Sequence, residues 1–156
     1  MSLDVEVFKS KVRFVNTHLE STSVPQGDQI QTAQLDELLA ALASPGMPVI
    51  LAGDFNANAE PGPEHTGTVR KIVLAGFPDS WQWANIGDPG YTWPLFGEDQ
   101  ARGPTNPDER IDMIFTGGAI SLWFGRDPNV LSAERTGTAA PWASDHAGVV
   151  VKVRLQ

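Results

Sequence analysis

The chain has 156 residues, which fits one domain and lets ~70% of the unfolded surface be buried. Apolar residues make up 41% and charged residues 19%, a globular composition, and with no cysteine, disulfides, thiolate catalysis and Cys-ligated zinc are excluded while the compartment stays open. The net charge of -8 argues against a broad basic surface for duplex nucleic acid, though not against a small phosphate site served by a few cations and a metal ion.

No apolar run approaches the ~18 residues that span a bilayer, and MSLDVEV lacks the basic-then-apolar order of a signal peptide. Asp4 to Phe8 alternates in polarity. Lys11 to His18 sets Val12, Phe14 and Asn16 on one face against Val15 and Thr17 on the other. The short Lys9-Ser10-Lys11 link predicts an antiparallel hairpin whose second strand delivers His18 at its end. Glu20 to Asp28 reads as a polar loop. From Asp28 to Ala43, Ile30, Leu35, Leu38, Leu39 and Leu42 recur at helical spacing, and Ser44-Pro45-Gly46 stops the helix. Val49, Ile50 and Leu51 then form a strand buried on both faces, which ends in Asp54 and, two residues on, Asn56. Strand, helix and buried strand in that order favour parallel pairing. A carboxylate and an amide at the carboxyl end of such a strand lie where α/β folds place ligands.

A Pro/Gly-rich loop follows. Thr66 or Thr68 is a candidate cap for a helix with Val69, Ile72 and Val73 inward and Gly76 at its end. Trp81 to Arg110 reads as irregular, with aromatics among Gly and Pro; an irregular stretch this long inside a compact domain is more often functional than idle. Arg102 and Arg110 are candidate phosphate contacts there, with a solvated charge and a packing or ion-pair role as their alternatives. Arg110 to Phe115 is a strand that sets Asp112 between Ile111 and Met113, which is costly unless the carboxylate has a partner. Ile120 to Phe124 and Ala147 to Leu155 are further strands, the latter preceded by Ser144-Asp145-His146. There is no internal repeat or linker, so residues 1-156 read as a single domain.

Four strand ends thus carry His18, Asp54 with Asn56, Asp112, and Asp145 with His146. Each alone has a commonplace explanation: a surface histidine, a structural aspartate, a turn. His65, in a loop with no carboxylate pattern, keeps that explanation. Together they meet the needs of phosphate-ester hydrolysis: an oxygen-ligated divalent cation, an activated water, donors to the phosphoryl oxygens and protonation of the leaving group. Asp145 and Asp54 offer hard oxygen ligands for Mg²⁺ or Mn²⁺. Asn56 can donate to a phosphoryl oxygen without adding charge. Asp112 and His146 are the candidate carboxylate-held histidine. Asp54, Asn56, Asn58 and Glu60 also alternate like an EF-hand loop, but Ala59 replaces its glycine and His65 its bidentate glutamate, so that reading is rejected.

Asn16-Thr17-His18-Leu19, Gly53-Asp54-Phe55-Asn56, Arg110-Ile111-Asp112 and Ser144-Asp145-His146, in this order and spacing, resemble the endonuclease/exonuclease/phosphatase superfamily across nearly the whole chain. The resemblance implies an α/β fold, namely the C-terminal half of a four-layer αββα sandwich with a mixed sheet and flanking helices. It implies that His18 contacts the scissile phosphate or acts as an acid, that Asp54 orients water, and that Asn56 binds phosphate. It further implies that Asp112 holds His146 as base or phosphate ligand beside the metal-binding Asp145. Asn16 and Arg110 are the added substrate-contact candidates.

The family's first half supplies a strand-borne Asn, a metal-binding Glu and a carboxylate behind the first histidine. Nothing before Asp4 matches them, and Glu6 lacks the context of that Glu. Met1-Ser2-Leu3 is therefore read as a non-natural start, and one apolar sheet face is expected to be exposed and to drive self-association or marginal stability. The expected activity is Mg²⁺- or Mn²⁺-dependent hydrolysis of a phosphate ester (nucleic acid, inositol phosphate or phospholipid headgroup), with this chain alone inactive or impaired. The alternative is a non-catalytic fragment or binding module that retains the fold. Carbohydrate binding through Trp81, Trp83 and Trp93 is the weaker third reading, since aromatics there serve packing.

Overall fold

A computed structural model describes residues 1–7, 9–43, 46–60, 67–95, 106–117, 130–137 and 143–154. β1 (Ser2–Val7) and β2 (Ser10–His18) form the expected antiparallel hairpin, with Asp4 opposite Arg13 and Leu3 opposite Phe14. α1 (Gly27–Leu42) leads into β3 (Val49–Asp54), which pairs parallel with β2. β4 (Asp112–Gly117) closes the other side of β3 antiparallel, giving a mixed four-stranded sheet in the order β1-β2-β3-β4. α2 (Thr68–Leu74) and the short α3 (Ser80–Ala84) lie between β3 and β4 in sequence. β5 (Val130–Thr136) and β6 (Gly148–Val153) form a separate antiparallel pair.

The core follows from pleat and helix period together. Val15, Val49, Leu51, Met113 and Phe115 are buried with Leu35 and Leu42 of α1 and Ile72 of α2 in one apolar cluster. Phe55, immediately past β3, packs edge-on against Phe115 with ring centroids 5.1 Å apart and an interplanar angle of 84°. That contact anchors the turn between Asp54 and Asn56 from below.

Several sequence expectations shift. Gly67, not a threonine, caps α2, and Thr68 instead donates its hydroxyl to Gln31 Oε1 at 2.7 Å. α3 was not foreseen inside the irregular stretch; Asp79 caps it by accepting the Trp81 N–H at 2.9 Å. Ile30 is exposed, and the polar Gln31 takes the buried place in α1. β5 was not foreseen either. The expected strand at Ile120 to Phe124, and the residues Arg102 and His65, lie outside the described residues. Among the described residues no helix is long and apolar enough to cross a membrane.

Candidate active site

The sheet register builds the site. His18 pairs with Asp54 across β2 and β3, and Asp54 pairs with Asp112 across β3 and β4, so the three strand ends form one row. Strands can close this tightly because residue 53 is glycine: a Cβ there would fall 2.0 Å from the Thr17 carbonyl oxygen. The chain then turns sharply at Asn56, whose φ of 45° is a left-handed conformation that asparagine tolerates. Asp54 Oδ1 accepts the Asn56 N–H at 2.8 Å, and the Asn56 side-chain amide donates to the Leu19 carbonyl at 2.8 Å.

His146 reaches the row from the segment before β6. Its Nδ1 lies 2.8 Å from Asp112 Oδ2, so the expected carboxylate–histidine pair is formed. A neutral imidazole facing a carboxylate this way carries its proton on Nδ1, leaving Nε2 as the acceptor for chemistry. The Trp93 ring stands beside His146, centroids 6.4 Å apart. On the opposite flank His18 is open to solvent, its side chain 72% exposed, with Nε2 3.1 Å from the Asn56 amide nitrogen and 3.4 Å from Asp54 Oδ2.

Asp54 and Asp112 face each other on neighbouring strands, and like charges directly opposite repel. The Asp54 carboxyl is accordingly pushed above its ordinary value, chiefly by burial and further by Asp112, while the Asn56 amide, His146 and His18 pull it back. One ligating atom from each of Asp54, Asp112 and His146 lies within 4.8 Å of the others. Two carboxylate oxygens and an imidazole nitrogen around a repelling acidic pair suit a hard divalent cation.

This has a consequence for the metal-free chain. The folded state holds the Asp54 proton more tightly than the unfolded chain does, so Asp54 favours folding at acid pH. That contribution is lost as pH rises through the folded pKa. Asp54→Asn, which keeps an oxygen for the Asn56 N–H, is expected to raise Tm at neutral pH in chelator, on the scale of about 2–4 °C per kcal/mol. The gain should vanish towards acid pH in a calorimetric series. An unchanged or lowered Tm at neutral pH contradicts the assignment of burial and Asp112 as the cause.

Not every candidate joins the cluster. Asn16 is exposed on the same face of β2 as His18, two residues away and so roughly 6–7 Å along the strand. Asp145 is exposed and is not one of the three residues whose ligating atoms converge. Arg110 as a substrate contact is corrected: its side chain is 1% exposed and bonds Asp79 Oδ2 through Nη1 at 2.7 Å and the Pro89 carbonyl through Nε at 2.8 Å. Of its two readings, the ion-pair one holds. Gln31 is a supporting residue that patterning passed over. Fully buried, its amide nitrogen donates to the carbonyls of Glu20 at 2.8 Å and Asn56 at 2.9 Å, clamping the turn that carries Asp54 and Asn56. The available signal was a glutamine four residues before Leu35 on the inward stripe of α1. A separate cleft of about 220 Å³ between the start of the β1–β2 hairpin and α1 is lined by Met1, Arg13, Val15, Asn16, Leu38 and Leu42. Its charged group, Arg13, is already paired with Asp4 at 2.7 Å, so the acidic cluster remains the candidate site.

The sequence profile described as the Endonuclease/Exonuclease/phosphatase family matches residues 3–146, and the chain belongs to that family. Among solved structures it is similar to an endonuclease/exonuclease/phosphatase from Beutenbergia cavernae, at 25% identity and TM-score 0.70, over 97% of this chain and 38% of that one. It is also similar to an AP endonuclease from Archaeoglobus fulgidus (17% identity, TM-score 0.69, 99% of this chain and 65% of that one). A third is the 3' phosphatase NExo from Neisseria, solved with a product DNA hairpin (18% identity, TM-score 0.67, 99% and 65%). The chain therefore spans from 38% to 65% of the lengths of these three structures. No curated protein matches it. The mixed sheet with flanking helices is the fold of these neighbours.

Proposed function

We propose that the row His18, Asp54, Asp112 with His146 above it is the reactive centre of a metal-dependent phosphoesterase in a single domain spanning residues 1-156. The observation that carries the reading is the 2.8 Å Asp112–His146 contact set against Asp54, with three ligating atoms inside 4.8 Å. Asp54, its Oδ1 fixed by the Asn56 N–H, orients the water that attacks phosphorus. The Asn56 amide donates to a phosphoryl oxygen once substrate displaces its contact with His18. His146, held at Nδ1 by Asp112, presents Nε2 to the phosphoryl group. His18, solvent-open at the rim, contacts the scissile phosphate or gives a proton to the leaving oxygen as the P–O bond breaks. Asp54, with Asp145, would hold Mg²⁺ or Mn²⁺, which when bound supplies charge neutralisation and a more acidic water.

The test is a panel on the full open reading frame and on residues 1–156, each with and without Mg²⁺: DNA, an inositol polyphosphate, sphingomyelin and an aryl phosphodiester. Hydrolysis of at least one by the full reading frame, with loss or severe impairment in residues 1–156, fits the proposal. No metal-stimulated hydrolysis of any of them contradicts it.

Leu3 and Phe14, cross-strand partners on the hairpin, are 61% and 42% exposed, and β1 is an edge strand. We propose that residues 1–156 self-associate through this face. Sedimentation should show dimers or larger species at high concentration that Phe14→Lys reduces. A stable monomer at the same concentration overturns it.

A further inference from the structure

Asp112 opens β4 and His146, 34 residues on, lies two residues before β6 of the other sheet, yet their side chains meet at 2.8 Å. Something must fix that spacing. Thr92, fully buried, bonds to both segments. Its Oγ1 accepts the backbone N–H of Ile111 and that of Asp112, each at 3.2 Å, which uses both acceptor sites of a hydroxyl. Its carbonyl accepts the Ala147 N–H at 2.8 Å, one residue past His146, and its own N–H bonds to the Glu109 carbonyl at 2.8 Å. Three residues on, the Leu95 N–H adds a bond to the Asp145 carbonyl at 2.7 Å.

We propose that Thr92 is a positioning residue that sets the geometry of the Asp112–His146 pair, acting through its hydroxyl. This rests on reading that pair as part of the reactive centre. Valine matches threonine in shape and removes the hydroxyl; serine keeps it. Thr92→Val is expected to lower kcat about 10–100-fold with KM little changed, as loss of a supporting hydrogen bond does elsewhere, and Thr92→Ser to restore most of it.

The second readout needs no turnover. In residues 1–156 the low-field proton resonance of His146 Nδ1–H, assigned by its loss in His146→Gln, should persist in Thr92→Ser and disappear or broaden in Thr92→Val. A folded Thr92→Val chain that keeps the resonance, or the full-length variant with unchanged kcat, overturns the proposal. If Thr92→Val does not fold, hydrogen exchange in the unsubstituted chain decides. Slow exchange at Ile111, Asp112 and Ala147 supports the bridge, and exchange as fast as at open loops overturns it. The expected resonance pattern in a protein without hydrolytic activity supports the role of Thr92 and sinks only the phosphoesterase reading.

Discussion

Alanine at His146 is expected to lower the proposed phosphoesterase turnover of the full open reading frame by about 10²–10⁴, the range over which a positioned acid or base contributes. The imidazole has one nitrogen engaged by Asp112, and both side chains are only partly buried, at 27% and 22% exposure, so the pair is oriented yet reachable. Removing Asp112 alone leaves His146 without the contact that selects its tautomer. Asp112→Asn should therefore cost a large part of the same factor. The double variant should be little worse than His146→Ala, because groups that act as one unit are not additive. Steady-state kinetics on an aryl phosphodiester with Mg²⁺ provide the measurement. Near-normal turnover in His146→Ala removes the histidine from the mechanism.

The largest expected effect on stability lies elsewhere. The side chains of Asp79 and Arg110 are each 1% exposed and joined at 2.7 Å, and among the described residues the buried Arg110 Nη2 has no partner of its own. Asp79→Ala leaves a buried guanidinium uncompensated, a change that costs about 3–5 kcal/mol. It also removes the acceptor that caps α3. Against a total stability on the order of 5–15 kcal/mol, many such molecules would be unfolded at physiological temperature. Asp79→Leu combined with Arg110→Met removes both charges and should recover much of the loss. Urea unfolding of the two variants separates the cases: equal, small losses in both contradict a buried pair.

β3 was legible because three consecutive apolar residues between turn signals mark a strand, although only the Val49 and Leu51 face is buried and Ile50 is half-buried rather than covered, and α1 because its leucines recur at helical spacing. The parallel pairing of β2 and β3 followed from their order with a helix between them. β5 was not legible: VLSAERT buries only Val130 and Ala133, so it has no clean alternation, and its partner is the distant β6. α3 is five residues in an aromatic, glycine-rich stretch, too short to show a period.

The site divides in the same way. Asp112 between two apolar neighbours announced a need for a partner, and His146 was a credible one. That they meet depends on how two sheets pack, which no local pattern encodes. Arg110, at the end of the irregular stretch from Trp81, was a candidate phosphate contact; its pairing with Asp79, 31 residues away, is a tertiary fact. Gln31 and Thr92 were passed over because an uncharged side chain that bonds mainly to backbone leaves no signature beyond its position.

The most direct test is metal-dependent turnover of an aryl phosphodiester by the full open reading frame, unsubstituted and as Asp54→Ala. Turnover that needs Mg²⁺ or Mn²⁺, stops in chelator and falls by orders of magnitude in Asp54→Ala is the predicted result. Hydrolysis that persists in chelator, or that Asp54→Ala leaves intact, would show that the row of His18, Asp54 and Asp112 is not where phosphate esters are cleaved.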